Sequence, residues 1–186
     1  MEKLKNLIFY LLLKCPGVGR TIINKYLWFV DCFYYARYGK DLTGLSYIAN
    51  NNGPTPDDTS FDVLRMALND FRIIRLREDQ GNYTKYFHYI AIPYQRSFEN
   101  YDFNFAKDEQ NIVDDVIDFI KDKTAKELSE ITHIDNYKPT KEHIHFSQAI
   151  RWKPTDRELT EEELRNTQER LKGIIENEPD LCGEFF

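Results

Sequence analysis

Apolar residues recur at Leu4, Leu7, Ile8, Leu11 and Leu12, the three- and four-residue spacing of an amphipathic helix, until Pro16-Gly17-Val18-Gly19 breaks the pattern. Over residues 21–38 the pattern changes character. Ile22, Ile23, Tyr26, Leu27, Trp28, Phe29, Val30, Phe33 and Tyr34 put apolar groups on every side of a helix. Such a segment is predicted to lie at the centre, surrounded by other elements, and Gly39 ends it. After it come a short strand-like Tyr47-Ile48-Ala49 and the turn-rich residues 50–56. Thr59 with Asp62 offers a helix cap, and Phe61, Leu64, Leu68 and Phe71 are spaced for one buried face of a third helix.

Residues 71–77 and 83–92 are β-rich around Asp79-Gln80-Gly81-Asn82, which predicts a hairpin. An irregular aromatic stretch fills 93–105. A helix follows over 108–121 with Ile112, Val113, Val116, Ile117 and Ile120 inward, then a shorter one over 124–131. Thr160 with Glu163 forms a capping-box pattern, and Leu164, Leu171, Ile174 and Ile175 give a last helix a narrow stripe. The predicted fold is α+β and mainly α-helical, a central hydrophobic helix wrapped by helices with a small antiparallel hairpin or sheet at one side. Residues 1–155 are expected to form the domain, and 156–186 an acidic C-terminal helix and tail appended to it.

At 186 residues and 22.2 kDa the chain can build one sizeable core, or one core plus an appendage. Hydrophobic residues at 41% and charged residues at 30% exclude collagen-like and largely disordered classes. The longest apolar run, 22–36, is interrupted by Lys25 and Asp31, so no membrane span is expected. Met-Glu-Lys-Leu-Lys leads into a hydrophobic stripe with no small-residue cleavage site after it. No signal peptide is therefore expected, and the expected location is cytoplasmic. Cys15, Cys32 and Cys182 are too scattered for a disulfide framework or a metal knuckle, and Cys32 is expected in the core. The formal charge of −6 belongs to residues 154–186, where ten acidic side chains face four basic ones. That segment disfavours nucleic acid and would suit a basic partner.

Candidate chemistry is sparse. Pro16-Gly17-Val18-Gly19 between two helices matches the hairpin of helix-hairpin-helix DNA-binding modules, whose amides hold a phosphate, but the following helix is apolar all round. A plain interhelical turn is the competing reading. Arg72, Arg75, Arg77, Lys85 and Arg96 outnumber Glu78 and Asp79, so helices followed by a basic hairpin keep a DNA-binding regulator open as an alternative. Against it, residues 61–70 carry one arginine and two aspartates where a recognition helix would be basic. His133, Asp135, His143 and His145 are the one cluster with metal-ligand character, at a spacing that fits no zinc motif. No nucleophile elbow or cysteine-histidine signature is present, so an enzyme of unknown type is a second alternative without a candidate catalytic residue. The expectation is a chain with no turnover, no cofactor and no metal. Aromatics at 15%, with 12 Tyr and 13 Phe, fit protein contacts better than catalysis.

Lys25-Tyr-Leu-Trp-Phe-Val-Asp31, then Tyr38-Gly39, Leu42-Thr43-Gly44 and Gly53-Pro54, resembles the core signature of the SocA-like, or Panacea, antitoxin domain. In that family a hydrophobic helix of the Lys-Leu-x-Tyr-x-Ala-Asp kind precedes Tyr-Gly, a Pro-Leu or similar turn, a short strand and Gly-Pro. Leu128-Ser129-Glu130-Ile131-Thr132-His133 is similar to the family's Leu-Ser-x-x-Thr-His element, and Trp152 stands in the order of its later tryptophan. The resemblance extends over about residues 5–152. Two departures stand out: residues 134–151 separate His133 from Trp152, and Asn50-Asn51-Asn52 replaces the usual aromatic before Gly-Pro.

The resemblance implies a bacterial or phage-associated antitoxin of a toxin–antitoxin system that neutralises a cognate protein toxin by direct binding. Delivery of the toxin to a protease complex, with the antitoxin as adaptor, is a route the family also implies. The expected toxin-binding surface comprises Tyr47, Asn52, Gly53 and Pro54, with His133 and Trp152 near by, plus an exposed side of the central helix at Lys25 and Tyr35. Glycine there would let a partner backbone approach, and proline would fix the chain beforehand.

Overall fold

The computed structural model describes residues 1–70, 72–80, 84–91, 101–133 and 137–145, with side chains left out of the description at 77–80 and 84–86. Its helices are α1 (Glu2–Lys14), α2 (Arg20–Tyr38), α3 (Asp58–Leu68), α4 (Lys107–Ile120) and α5 (Ala125–Ile131). Its strands are β1 (Val18–Gly19), β2 (Tyr47–Ile48), β3 (Thr55–Pro56), β4 (Ile73–Gln80) and β5 (Thr84–Ala91). The architecture is α+β and mainly helical, as the hydrophobic pattern predicts.

Helix α2 is central because its apolar side chains leave no polar face to turn towards water: Ile23, Tyr26, Leu27, Trp28, Phe29 and Val30 are all buried. Phe29 meets Phe119 of α4 edge to face at 5.3 Å, and Cys32 lies in the same core. Gly39 stops the helix in the left-handed conformation that a Cβ would disfavour, φ 68°, and its amide returns to the Tyr35 carbonyl. The inward stripe of α4, Ile112 to Ile120, is buried as expected. Glu109 reaches back to the Ala106 amide at 3.0 Å and closes that helix's N-terminus.

The hairpin forms with β4 antiparallel to β5, Ile73 opposite Ala91 and Gln80 opposite Thr84, so β4 runs through Asp79 and Gln80, which the sequence reading puts in the turn. Residues 16–19 do more than turn. Val18 and Gly19 pair with Tyr89 and His88, giving a sheet ordered β1-β5-β4, and the Gly17 amide is donated to the Tyr89 carbonyl at 3.0 Å. An amide that a phosphate would need is thereby engaged by the sheet.

Helix α3 is capped by Asp57 rather than by the expected Thr59. The Asp57 carboxylate accepts the Ser60 amide at 2.7 Å, and Pro56 before it fixes the entry. Of its expected face, Leu64 and Leu68 are buried and Phe61 is half-buried; Phe71 lies outside the described residues. Tyr101, Phe103 and Phe105 lean on Phe9 and Tyr10 of α1 without forming a strand. The expected C-terminal helix, the appendage 156–186 and Trp152 lie outside the described residues.

Candidate functional site

One stripe of α2 carries Lys25, Trp28, Asp31 and Tyr35, three to four residues apart and therefore on one face. A small ribbon lies on it. Strands β2 and β3 pair antiparallel, Tyr47 with Pro56 and Ile48 with Thr55, and residues 141–144 add a third line beside β2. Ala49 and Ile144 amides donate to the Glu142 and Tyr47 carbonyls at 2.8 and 2.9 Å, and the Lys141 amide donates to Ala49 at 2.9 Å.

Two ionisable side chains of the stripe hold this ribbon from beneath. Asp31 is fully buried. Its Oδ1 accepts the amides of Leu42 and Thr43 at 2.9 and 2.8 Å, and its Oδ2 accepts the hydroxyls of Thr43 and Tyr47, the latter at 2.9 Å. Burial pushes the carboxyl up to about 7 against the pull of those four donors. Between the two anchors, Trp28 packs edge to face on Tyr47 at 5.0 Å. At the far end of the stripe, Tyr35 meets the His145 ring at 5.1 Å.

Lys25 is also fully buried, 0% exposed, and its Nζ donates to the Pro54 carbonyl at 3.0 Å. Burial alone lowers this amine to about 7. Gly53 sits against it with φ +84°, where a Cβ would come within 2.0 Å of Thr132 Oγ1 and 2.5 Å of Lys25 Nζ. Only glycine both adopts that conformation and fits that gap. Thr132, at the end of α5, is itself fixed by donating its hydroxyl to the Ser129 carbonyl at 2.8 Å.

What remains on the outside is the far edge of the ribbon. Asn52, Asn51 and His133 are exposed, and His133 stacks on half-buried Tyr137 with ring centroids 4.7 Å apart. The Tyr137 hydroxyl donates to the Asn50 carbonyl at 2.7 Å, and Lys141 Nζ donates to Asn50 Oδ1. Lys141 has φ +68°, a backbone region uncommon for a non-glycine residue.

The sequence-based site therefore divides. Asn52 and His133 lie on the surface, at the ribbon edge. The expectation that Lys25 and Tyr35 stand on an exposed side of α2 is corrected: Lys25 is sealed and Tyr35 is 8% exposed, because the ribbon and residues 137–145 cover that face. Tyr47, Gly53 and Pro54 are buried as well, since they form the underside of the ribbon. Asp31, Thr43, Thr132 and Tyr137 were not among the expected site residues. Asp31 carried a signal, a lone carboxylate inside an otherwise apolar helix, which requires donors around it.

The histidines do not converge. Among the described residues no three His, Cys, Asp or Glu side chains are grouped to hold a metal ion. His143 Nδ1 faces Asp57 at 3.9 Å, His133 faces Tyr137 and His145 faces Tyr35, while Asp135 lies outside the described residues. No helix among the described residues is long and apolar enough to cross a membrane.

Fold and site together define a helical α+β domain that seats a small ribbon on a buried helix through two ionisable anchors. The family model described as antitoxin SocA-like, Panacea domain, matches residues 23–138, and the chain belongs to this family. The match takes in both anchors, Gly53-Pro54 and His133, and stops short of α1 and Trp152, so it is narrower than the expected 5–152. No curated protein and no solved structure matches the chain.

Proposed function

We propose that the chain is an antitoxin that neutralises a cognate protein toxin by direct binding, and that the exposed ribbon edge is its toxin face. The observation that carries this reading is the division of labour on α2. Lys25 and Asp31, both within the family-matched span, are buried and bond to Pro54 and to Tyr47 of the ribbon beneath one exposed surface, with Gly53 packed between Lys25 and Thr132. Asn52, His133, Tyr137 and Lys141 make up that surface, with Lys25, Tyr35, Tyr47, Gly53 and Pro54 acting from beneath. Preset surfaces favour binding because little ordering is needed on contact.

Growth arrest by the product of the adjacent gene, relieved when this chain is co-expressed, is the expected behaviour. Asn52→Glu and His133→Ala should weaken relief while leaving the melting temperature unchanged. Full relief by the double variant would move the toxin face elsewhere. Disappearance of the toxin from cells only when the chain is present would assign delivery to a protease.

A further inference from the structure

We infer that Lys25 is the positioning residue of the toxin face, holding the turn at residues 50–53 in its binding-ready form through the Pro54 carbonyl. Its toxin-binding arm rests on the antitoxin reading above; its structural arm does not.

Stability does not account for this lysine. Its amine is sealed from water, has one hydrogen bond and is paired with no carboxylate among the described residues, an arrangement that opposes folding. A methionine would fill the same volume without that penalty. A side chain that works against stability in a buried helix points to a task outside the core.

The contacts show what the task is. Pro54 follows Gly53, which fits the gap between Lys25 Nζ and Thr132 Oγ1 with no room to spare. The Gly53 amide closes the turn on the Asn50 carbonyl at 2.9 Å, and that same carbonyl accepts the Tyr137 hydroxyl. Asn50 Oδ1 accepts both the Asn51 amide, at 2.8 Å, and Lys141 Nζ. A shift of Pro54 is thus felt at Asn50 and, through it, at both exposed lines of the ribbon. Lys25, fixed on α2, supplies the reference position.

Amide hydrogen exchange on wild-type protein, Lys25→Met and Gly53→Ala tests this, together with affinity for the growth-arresting product of the adjacent gene. In Lys25→Met, exchange at residues 51–53 and 141–142 should accelerate about tenfold or more while α1 and α4 exchange no faster than in wild type, and toxin affinity should fall about tenfold. Its melting temperature at pH 7 should not fall. Gly53→Ala, which displaces the same turn from the other side, should accelerate exchange at residues 51–53 and 141–142 by more than its lower global stability accelerates α1 and α4. Unchanged exchange in Lys25→Met overturns the inference, as does acceleration throughout the protein or loss of the fold, each of which would make Lys25 an ordinary structural residue. A wild-type chain that binds no toxin refutes the antitoxin reading, and the exchange result still decides the positioning role.

Discussion

Replacing Lys25 by methionine should change the pH dependence of stability by an amount that the burial of the amine sets. In the folded chain the amine titrates at about 7, against an ordinary 10.5. The folded-state value is lowered, so between those two pH values the unfolded chain holds more protons, and stability rises with pH across that window. Below about pH 7 the amine is charged in both states and the penalty is complete. A shift of this size corresponds to roughly 4 to 5 kcal/mol at 1.36 kcal/mol per unit. Methionine cannot titrate, so the stability of Lys25→Met minus that of wild type isolates the effect. Between pH 6 and pH 10 that difference should drop by about 4 kcal/mol. Leaving the Pro54 carbonyl without its donor costs about 1–3 kcal/mol at every pH. The variant should therefore be more stable than wild type by about 1–3 kcal/mol at pH 6 to 7, and less stable at pH 10. Urea unfolding at constant temperature across this range measures it. A difference that stays constant within about 1 kcal/mol would refute the reasoning, because the amine would then not be sealed as described.

Other expectations follow from the same geometry. Asp31→Asn keeps the shape and the two amide bonds, but its NH2 group makes the Thr43 and Tyr47 hydroxyls turn from donating to accepting, so thermal or urea unfolding should show a loss of about 1–3 kcal/mol. Gly53→Ala combines an unfavourable φ with a Cβ inside the Thr132 hydroxyl's contact distance, and should cost about 2–4 kcal/mol in the same assay. Asp70 is held down to about 2 by the Arg72 guanidinium, with burial opposing and Lys5 assisting, so its contribution is present above about pH 4 and is lost as pH falls towards 2. Asp70→Asn should remove about 2 kcal/mol from the acid limb of the stability profile, and acid unfolding curves of the two proteins should converge near pH 2.

Most of the fold was legible because its helices are strongly periodic: α1, α2 and α4 are where their apolar spacing predicts them. Short strands were harder. β1 is two residues long, and its pairing with β5 depends on a tertiary contact that local pattern does not encode. Residues 141–144 have no strand-like alternation, yet they line β2 through backbone hydrogen bonds with Ala49 and Tyr47. The site was half legible. The signature residues were recognisable in order, but a motif does not show which side of the surface its members occupy. Lys25 looks like a surface cation until Pro54 is seen to cap it, and Tyr47 looks like a binding aromatic until its hydroxyl is found on Asp31. A charged residue in place of Tyr47 would accordingly report on folding, whereas Asn52 is a fair surface probe.

Calorimetric titration of the purified adjacent-gene product with the purified chain tests the central claim most directly. The account predicts a saturable, stoichiometric complex that co-elutes on size-exclusion chromatography and is weakened by about 2 kcal/mol or more in Asn52→Glu. Absence of any complex, with growth still rescued in cells, would contradict neutralisation by direct binding.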